Sequence, residues 1–232
     1  MGKSRPRMLF YGCGLDTAAW QRLVVDRLRG ELVVLEGTSE WAARCKAASP
    51  ASDIRTISYD STPMNAQAKL LQVGSSHWSE QVGLLSLSED LHRRDFDVIV
   101  VDGPQGFDRY PGRAQSVATS VWLARNATPG HHTHLFLHDS ARPHERLVLA
   151  RFVEQPGTAA VRLGDHLPRK GLAQYLIPSA AKHKDTHSSW SLHRSDPTSH
   201  HRASSLSSSL DASRSTEHHS SRQTTIVRHW RS

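Results

Sequence analysis

The chain has 232 residues and a formal net charge of +7, of which +4 (eight Lys/Arg against four Asp/Glu) falls on residues 179–232. This length suits one ordinary domain plus an extension, and the uneven charge argues against inferring nucleic-acid binding from the total. The two cysteines lack the C-x-x-C spacing and are too few for a disulfide framework, so we expect Cys13 and Cys45 to be small buried residues. No apolar run approaches the ~20 residues of a membrane span, and none resembles a signal peptide.

Short apolar runs alternate with helical patterns along the first 178 residues. The predicted strands are Met8–Tyr11, Glu31–Leu35, Ile54–Tyr59, Asp97–Val101, His134–Leu137, Ala159–Leu163 and Leu172–Ile177. The first predicted helix begins at Asp16 or Thr17. The other predicted helices cover Ser39–Ala48, Ala66–Val73, Ala114–Asn126 and Pro143–Val153. Uniformly apolar strands that alternate with helices are typical of a parallel sheet covered on both faces. We therefore predict an α/β fold with a mostly parallel sheet over residues 1–178.

The composition changes after Pro178. Ser, His, Arg and Thr dominate residues 179–232, and eight of the sixteen histidines of the chain lie there. A segment with so few apolar residues cannot bury enough surface to offset the loss of chain entropy. We predict a disordered tail over residues 179–232.

Glycines and polar residues follow the predicted strands. In open α/β sheets, ligands bind beyond the carboxyl ends of the strands, so these residues are the first candidates for a site. They are Gly12, Gly14 and Asp16 after the first strand, Glu36 after the second, Asp60 after the third, Asp102-Gly103-Pro104 after the fourth and His138-Asp139 after the fifth.

The turn Gly12-Cys13-Gly14 after the first strand indicates a nucleoside cofactor. Thr17 occupies the third glycine position of the dinucleotide pattern G-x-G-x-x-G, which weighs against NAD. Glu36 could accept hydrogen bonds from two ribose hydroxyls. Together these features favour S-adenosylmethionine, and the candidate cofactor-binding residues are Gly12, Gly14, Asp16, Glu36, Asp60, Asp102 and Gly103.

Two longer stretches, FDVIVVDGPQGFDRYPGRAQSVATSVWLARN and THLFLHDSARPHER, carry a family resemblance. They are similar to the plant and algal polysaccharide-biosynthesis family that contains the glucuronoxylan 4-O-methyltransferases, whose pattern is V-D-G-P-x-G, then P-G-R, A-R-N and H-D. The resemblance covers about residues 8–178. It implies a class I, Rossmann-like methyltransferase that moves a methyl group from S-adenosylmethionine to the 4-hydroxyl of glucuronic acid in xylan or a related cell-wall glycan. It also implies a Golgi location; without an entry signal the alternative is a soluble cytoplasmic protein.

Methyl transfer to a sugar hydroxyl needs a group that removes a proton, and Asp102, His138 and Asp139 are the candidates. An alternative places a divalent metal cation at Asp102 and Asp139, where it would acidify the hydroxyl. The arginines Arg113 and Arg142 are candidate contacts for the acidic sugar, since guanidinium groups match carboxylates. Further candidates are Arg109 for the same contact, and Trp41 and Tyr110 for stacking on a ring.

Four other functions remain open at this stage. The chain could be a family member that has lost methyl transfer, or a methyltransferase for another acceptor such as a phenol or a different uronic acid. It could bind polyanions through its basic tail, which predicts steep salt dependence. The fourth is an NAD oxidoreductase, which Thr17 at the third glycine position disfavours.

Overall fold

The computed structural model describes residues 5–60, 83–105, 111–166 and 171–180. Its strands are β1 Arg7–Tyr11, β2 Glu31–Glu36, β3 Asp53–Thr56, β4 Val98–Val101, β5 His132–His138, β6 Val161–His166 and β7 Leu172–Pro178. They form one sheet in the order β3-β2-β1-β4-β5-β7-β6. All neighbours from β3 to β5 pair in parallel, and β7 runs antiparallel to both β5 and β6. The predicted mostly parallel sheet is confirmed.

Helices connect the strands. They are α1 Thr17–Gln21, continued by a π-helical segment Arg22–Arg27; α2 Ser39–Ala48; α3 Glu89–His92; α4 Ala114–Arg125; and α5 Pro143–Val148, continued by a π-helical segment Leu149–Val153. The predicted helix Ala66–Val73 and residues 181–232 of the predicted tail lie outside the described residues. The other predicted helices are present.

Alternate side chains of each strand point to opposite sides of the sheet. Because the parallel strands are uniformly apolar, both faces of the sheet are apolar. Leu9, Tyr11 and Val101 point to the face that packs against α3, α4 and α5. Phe10 and Val34 point to the opposite face, where the residues after α1 pack. Helices therefore cover both faces of the sheet.

Some strand boundaries differ from the prediction for reasons of pairing. The third strand was predicted to reach Tyr59, but it ends at Thr56 because its partner β2 ends at Glu36, opposite Thr56. The fifth strand is longer than predicted, because β7 pairs with it from His132 to His138. Such differences depend on a partner strand, which the local pattern does not contain.

Candidate active site

The ends of β1 and β4 meet through two glycines. Gly12 has a φ of +94°, and a Cβ there would lie 2.8 Å from the backbone of Gly103. A Cβ on Gly103 would lie 2.7 Å from the Cα of Gly12. The carbonyl of Tyr11 accepts hydrogen bonds from the amides of Asp102 (3.1 Å) and Gly103 (2.7 Å). The structure therefore brings these two predicted cofactor residues together, and contact between two backbones requires them to be glycine.

Glu36 joins the glycine turn to the end of β2. Its Oε2 accepts a hydrogen bond from the Cys13 amide at 2.9 Å, and its Oε1 accepts from the amide (2.9 Å) and hydroxyl (3.1 Å) of Thr38. A carboxylate has about four lone-pair sites, of which these donors use three. A ligand diol needs two sites, so the exposed Thr38 hydroxyl would have to rotate away from Glu36.

Asp16 and Thr17 shape the start of α1. Asp16 is exposed, and its carboxylate accepts a hydrogen bond from the Trp20 indole at 3.1 Å. The buried Thr17 hydroxyl accepts the amide hydrogen of Gly14 at 3.1 Å. The sequence analysis gave Thr17 as a possible helix start and as the residue at the third glycine position; the structure adds that its hydroxyl holds the glycine turn on the helix.

Asp60 lies beyond β3, and its position depends on a residue that the sequence analysis missed. The Asp60 amide donates a hydrogen bond to the Gln115 side chain at 2.9 Å, and Gln115 on α4 is fully buried. The ring of Tyr59 packs beside Gly37, which follows Glu36. Burial raises the pKa of Tyr59 above its usual range, so its hydroxyl is neutral. The signal that could have identified Gln115 is a polar residue at the start of a buried helix.

The structure corrects the expectation for the cysteines. Cys13 and Cys45 form a disulfide, with their Cα atoms 6.4 Å apart across 32 residues of sequence. This Cα separation lies within the usual range of about 4.4–6.8 Å. The bond links the glycine turn to α2. Two cysteines that are distant in sequence gave no local sign of this pairing.

Asp102, His138 and Asp139 meet where β4 and β5 end side by side. Nδ1 of His138 lies 2.6 Å from Oδ1 of Asp102 and 3.6 Å from Oδ2 of Asp139. The His138 side chain is 26% exposed, so a ligand can reach it. Asp139 has a φ of +58°, a left-handed conformation that is uncommon outside glycine. The three predicted catalytic residues therefore share one cluster.

Arg113 does not lie where the sequence analysis placed it. It was predicted to contact the substrate, but its side chain is only 4% exposed. Its terminal nitrogens donate to the Asp102 carbonyl (2.7 Å), to Asp139 (3.0 Å) and to Glu145 (3.1 Å). Its hydrogen bonds are therefore directed at the protein interior.

Arg142 fits the predicted role better. Its side chain is 45% exposed, and one terminal nitrogen lies 2.9 Å from Asp139. Trp41 is also exposed and carries the Arg44 guanidinium over its ring. The candidates Arg109 and Tyr110 lie outside the described residues.

The cluster does not have the arrangement of a metal site. Within the described ranges, no group of three or more His, Cys, Asp or Glu side chains is arranged to hold a metal ion. Oδ2 of Asp139 accepts a hydrogen bond from Arg113 and lies 2.9 Å from a terminal nitrogen of Arg142, and Oδ1 of Asp102 contacts an imidazole. A cation at these carboxylates would meet two guanidinium charges, so the predicted metal site at Asp102 and Asp139 is not supported.

The strand order and the glycine turn define the class of fold. A sheet in this order, with the seventh strand reversed and the site at the carboxyl ends of the parallel strands, is the Rossmann-like fold of class I methyltransferases. The chain belongs to the IRX15/IRX15L/GXM family, whose sequence model matches residues 2–158. Both the predicted fold and the family resemblance are confirmed.

Individual relatives are similar over part of their length. Glucuronoxylan 4-O-methyltransferase 1 of Arabidopsis thaliana is 30% identical over 154 residues, which cover 61% of this chain and 53% of that protein. Arabinogalactan O-methyltransferase 1 of the same organism is 28% identical over 160 residues, covering 62% and 54%. The chain thus spans about half the length of these curated relatives. Among solved structures, the N-terminal domain of human METTL16 in complex with SAH aligns with a TM-score of 0.44 and 11% identity, covering 78% of this chain and 64% of that one.

None of the helices in the described part of the chain combines the length and the apolar character needed to cross a bilayer.

Proposed function

We propose that the chain is an S-adenosylmethionine-dependent O-methyltransferase whose acceptor is a sugar hydroxyl, the 4-hydroxyl of glucuronic acid in xylan or a related cell-wall glycan. The observation that carries this proposal is the series of contacts that leads from the glycine turn to the candidate base. Gly12 touches Gly103, and the neighbouring Asp102 touches His138. A cofactor held at the turn would therefore lie beside a proton acceptor. The named activities of the two Arabidopsis relatives support the same proposal.

The residues at the ends of β1, β2 and β3 fit the cofactor. S-adenosylmethionine would supply an electrophilic methyl group on a positively charged sulfur. Glu36 would bind the ribose hydroxyls, since its carboxylate lies at the glycine turn and its Thr38 contact can be released. Gly14 and Asp16 would lie along the methionine part, and Asp60, held by Gln115, along the nucleoside.

His138 is the base that the geometry favours. Nδ1 is buried and lies 2.6 Å from the Asp102 carboxylate, so Nε2 is the nitrogen left to take the proton of the acceptor hydroxyl. The nearby Asp102 carboxylate would stabilise the imidazolium that forms, while Asp139 is already paired with two arginines. A positioned base contributes about 10²–10⁴-fold, and alignment of the reacting atoms up to about 7–11 kcal/mol.

Arg142 is the described candidate for binding the uronic acid. Its exposed guanidinium lies beside Asp139 at the edge of the cluster, and two or more of its N–H groups can still donate to a carboxylate. A glucuronic acid whose carboxylate lies on Arg142 would have its ring near His138. Both xylan and arabinogalactan side chains are compatible with this arrangement, so the assay must compare them.

Calorimetry and a methyl-transfer assay test this proposal together. We expect Glu36→Ala to abolish binding of S-adenosylmethionine, whereas Thr38→Ala, the matched control that removes only the hydroxyl contact to Glu36 Oε1, retains it. We expect His138→Gln and Asp102→Asn to bind the cofactor within about twofold of the unmodified chain and to lose about 10²–10⁴-fold in turnover.

The acceptors for the assay are glucuronic-acid-bearing xylan oligosaccharides and arabinogalactan, each with and without EDTA. Turnover on xylan alone would assign the acceptor, and turnover on arabinogalactan alone would move it to that glycan. Loss through EDTA would restore the metal alternative. Cofactor binding with no methyl transfer to either glycan would favour another acceptor or a family member that has lost the activity. An equal loss of cofactor binding in all variants would show that the substituted residues are needed for folding.

We also propose that the protein works in an oxidising compartment such as the Golgi lumen. The Cys13–Cys45 disulfide supports this, because structural disulfides persist in the secretory pathway and are rare in the cytosol. Protection of both cysteines from alkylation in the denatured, unreduced protein tests it, because a buried free thiol such as Cys45 would become reactive there. Two reactive thiols would contradict it.

A further inference from the structure

We propose that Arg113 and Glu145 are positioning residues for the reaction: they act through Asp102 and Asp139 to hold His138 in place. Both side chains are buried: that of Arg113 is 4% exposed and that of Glu145 is 0% exposed. Neither is therefore placed to contact a ligand beyond the strand ends. The proposal rests on the proposed function, because His138 is taken as the base.

The Arg113 guanidinium connects three elements. Nη2 donates to the main-chain carbonyl of Asp102 at the end of β4 and to the carboxylate of Asp139 at the end of β5. Nη1 donates to Oε1 of Glu145 on α5. Arg113 itself immediately precedes α4, so its backbone is fixed by that helix. One side chain thus sets the spacing between the two strand ends that carry the candidate base and its partner.

The connection through Arg113 reaches a residue, Asp139, whose backbone conformation is unfavourable. Asp139 directly follows His138 and has the left-handed φ of +58°. Such a conformation outside glycine costs of order 1–3 kcal/mol and persists only where surrounding contacts impose it. The contacts at Asp139 are the Arg113 hydrogen bond to its carboxylate at 3.0 Å, the Arg142 guanidinium at 2.9 Å, and the Arg142 amide, which donates to its carbonyl at 2.9 Å. Arg113 is the buried side chain among them, so its loss would loosen the residue next to the base.

Charge explains why Glu145 belongs to the same unit. The cluster contains three carboxylates, on Asp102, Asp139 and Glu145, and two guanidinium groups, on Arg113 and Arg142. A fully buried carboxylate is tolerated only when it is paired, and Arg113 is the pair of Glu145. Glu145 in turn fixes which way the Arg113 fork faces. The fork geometry matters here, since lysine carries the same charge but cannot reach three acceptors at once.

The test uses Arg113→Lys and Glu145→Gln in the full chain, with Arg125→Lys as the matched control. Arg125 ends the same helix and donates to two main-chain carbonyls, of Thr158 and Pro178, away from the cluster. We expect Arg113→Lys to lower kcat per folded molecule by about 10–100-fold, since small misplacements of reacting groups have such effects. We expect a smaller loss in Glu145→Gln, and unchanged cofactor affinity in both.

A readout independent of turnover separates this proposal from the proposed function. The ring ¹⁵N signals of His138, assigned with His138→Gln, should shift in Arg113→Lys and Glu145→Gln and stay in place in Arg125→Lys. Unchanged His138 signals, or a kcat of Arg113→Lys within about twofold of the unmodified chain, would overturn the positioning role. If the unmodified chain transfers no methyl group, the proposed function fails, and the ¹⁵N signals still decide whether Arg113 positions His138.

Discussion

The glycines at the strand ends have two different physical roles, which a sequence pattern does not distinguish. Gly12 combines a positive φ with a backbone contact, Gly103 has the contact alone, and Gly14 faces only the flexible side chain of Asp16. Their positions after predicted strands led us to expect ligand contact at each. At Gly12 and Gly103 the structure gives a cause within the protein itself, the close approach of β1 and β4.

Alanine substitutions separate the two effects at Gly12. We expect Gly12→Ala to lower the free energy of unfolding by about 2–5 kcal/mol, the sum of left-handed strain and a Cβ inside contact distance. Gly103→Ala should lose about 1–3 kcal/mol from contact alone. The control is Gly130→Ala, where φ is +85° and no atom lies within 4 Å, so only the strain of about 1 kcal/mol remains. Urea unfolding measures all three, and a Gly12→Ala loss equal to that of Gly130→Ala would contradict the contact.

The identity of several candidate site residues could be predicted from the sequence, but the residues that surround them in the fold could not. Glu36, Asp102 and His138 were identified because each follows an apolar strand in an α/β pattern. Arg113 was assigned to the substrate because its neighbours in sequence do not show that Asp102, Asp139 and Glu145 surround it. Gln115 was missed for the same reason, since its partner is an amide 55 residues away.

At the scale of elements, the alternating pattern was sufficient to predict the strands and most helices, because uniformly apolar strands and amphipathic helices are local signals. Boundaries depend on partners instead. The pattern between Leu84 and Leu91 does not distinguish helix from strand: Leu85 and Leu87 are buried outside any helix or strand, and only Glu89–His92 is helical. The Leu85 amide donates a hydrogen bond to the Thr119 hydroxyl of α4, a contact that sequence spacing does not reveal.

The disulfide between the glycine turn and α2 makes an element-scale prediction. A bond that closes 32 residues restricts the unfolded chain, so we expect reduction to lower the free energy of unfolding by about 2–4 kcal/mol. The variant with Cys13→Ala and Cys45→Ala should show a similar loss and should no longer respond to reductant. Urea unfolding with and without dithiothreitol tests this. A free energy of unfolding that does not change with reductant would show that the two cysteines are not bonded.

At the scale of the whole molecule, the parallel order of β1 to β5 places the site, because it brings the ends of distant segments to one edge. Contacts run along that edge from Tyr59 and Gly37 through Glu36 and Cys13 to the Gly12–Gly103 contact. They continue to Asp102, His138 and Arg142. The division into residues 1–178 and a disordered tail remains a prediction, which limited proteolysis would test by rapid cleavage confined to residues 179–232.

Stability of the whole chain should depend on pH through two histidines. Burial lowers the pKa of His144 on α5, against the opposing attraction of Glu145, and burial also lowers the pKa of His92 on α3, against Glu89. In the unfolded chain both return to about 6.5. The unfolded state therefore binds more protons below about pH 6.5, and the free energy of unfolding falls as the pH decreases through that value.

Urea unfolding at pH 7.5, 6.5 and 5.5 measures this dependence. We expect the unmodified chain to be most stable at pH 7.5 and to lose stability between pH 6.5 and 5.5, a range above the titration of ordinary carboxylates. Replacing both residues, His92→Gln with His144→Gln, should make the curve shallower, and each single variant should lie between. The Asp90 carboxyl does not interfere, because Arg55 holds its pKa well below its usual range. A double variant that loses stability as steeply as the unmodified chain would assign the pH dependence to other groups.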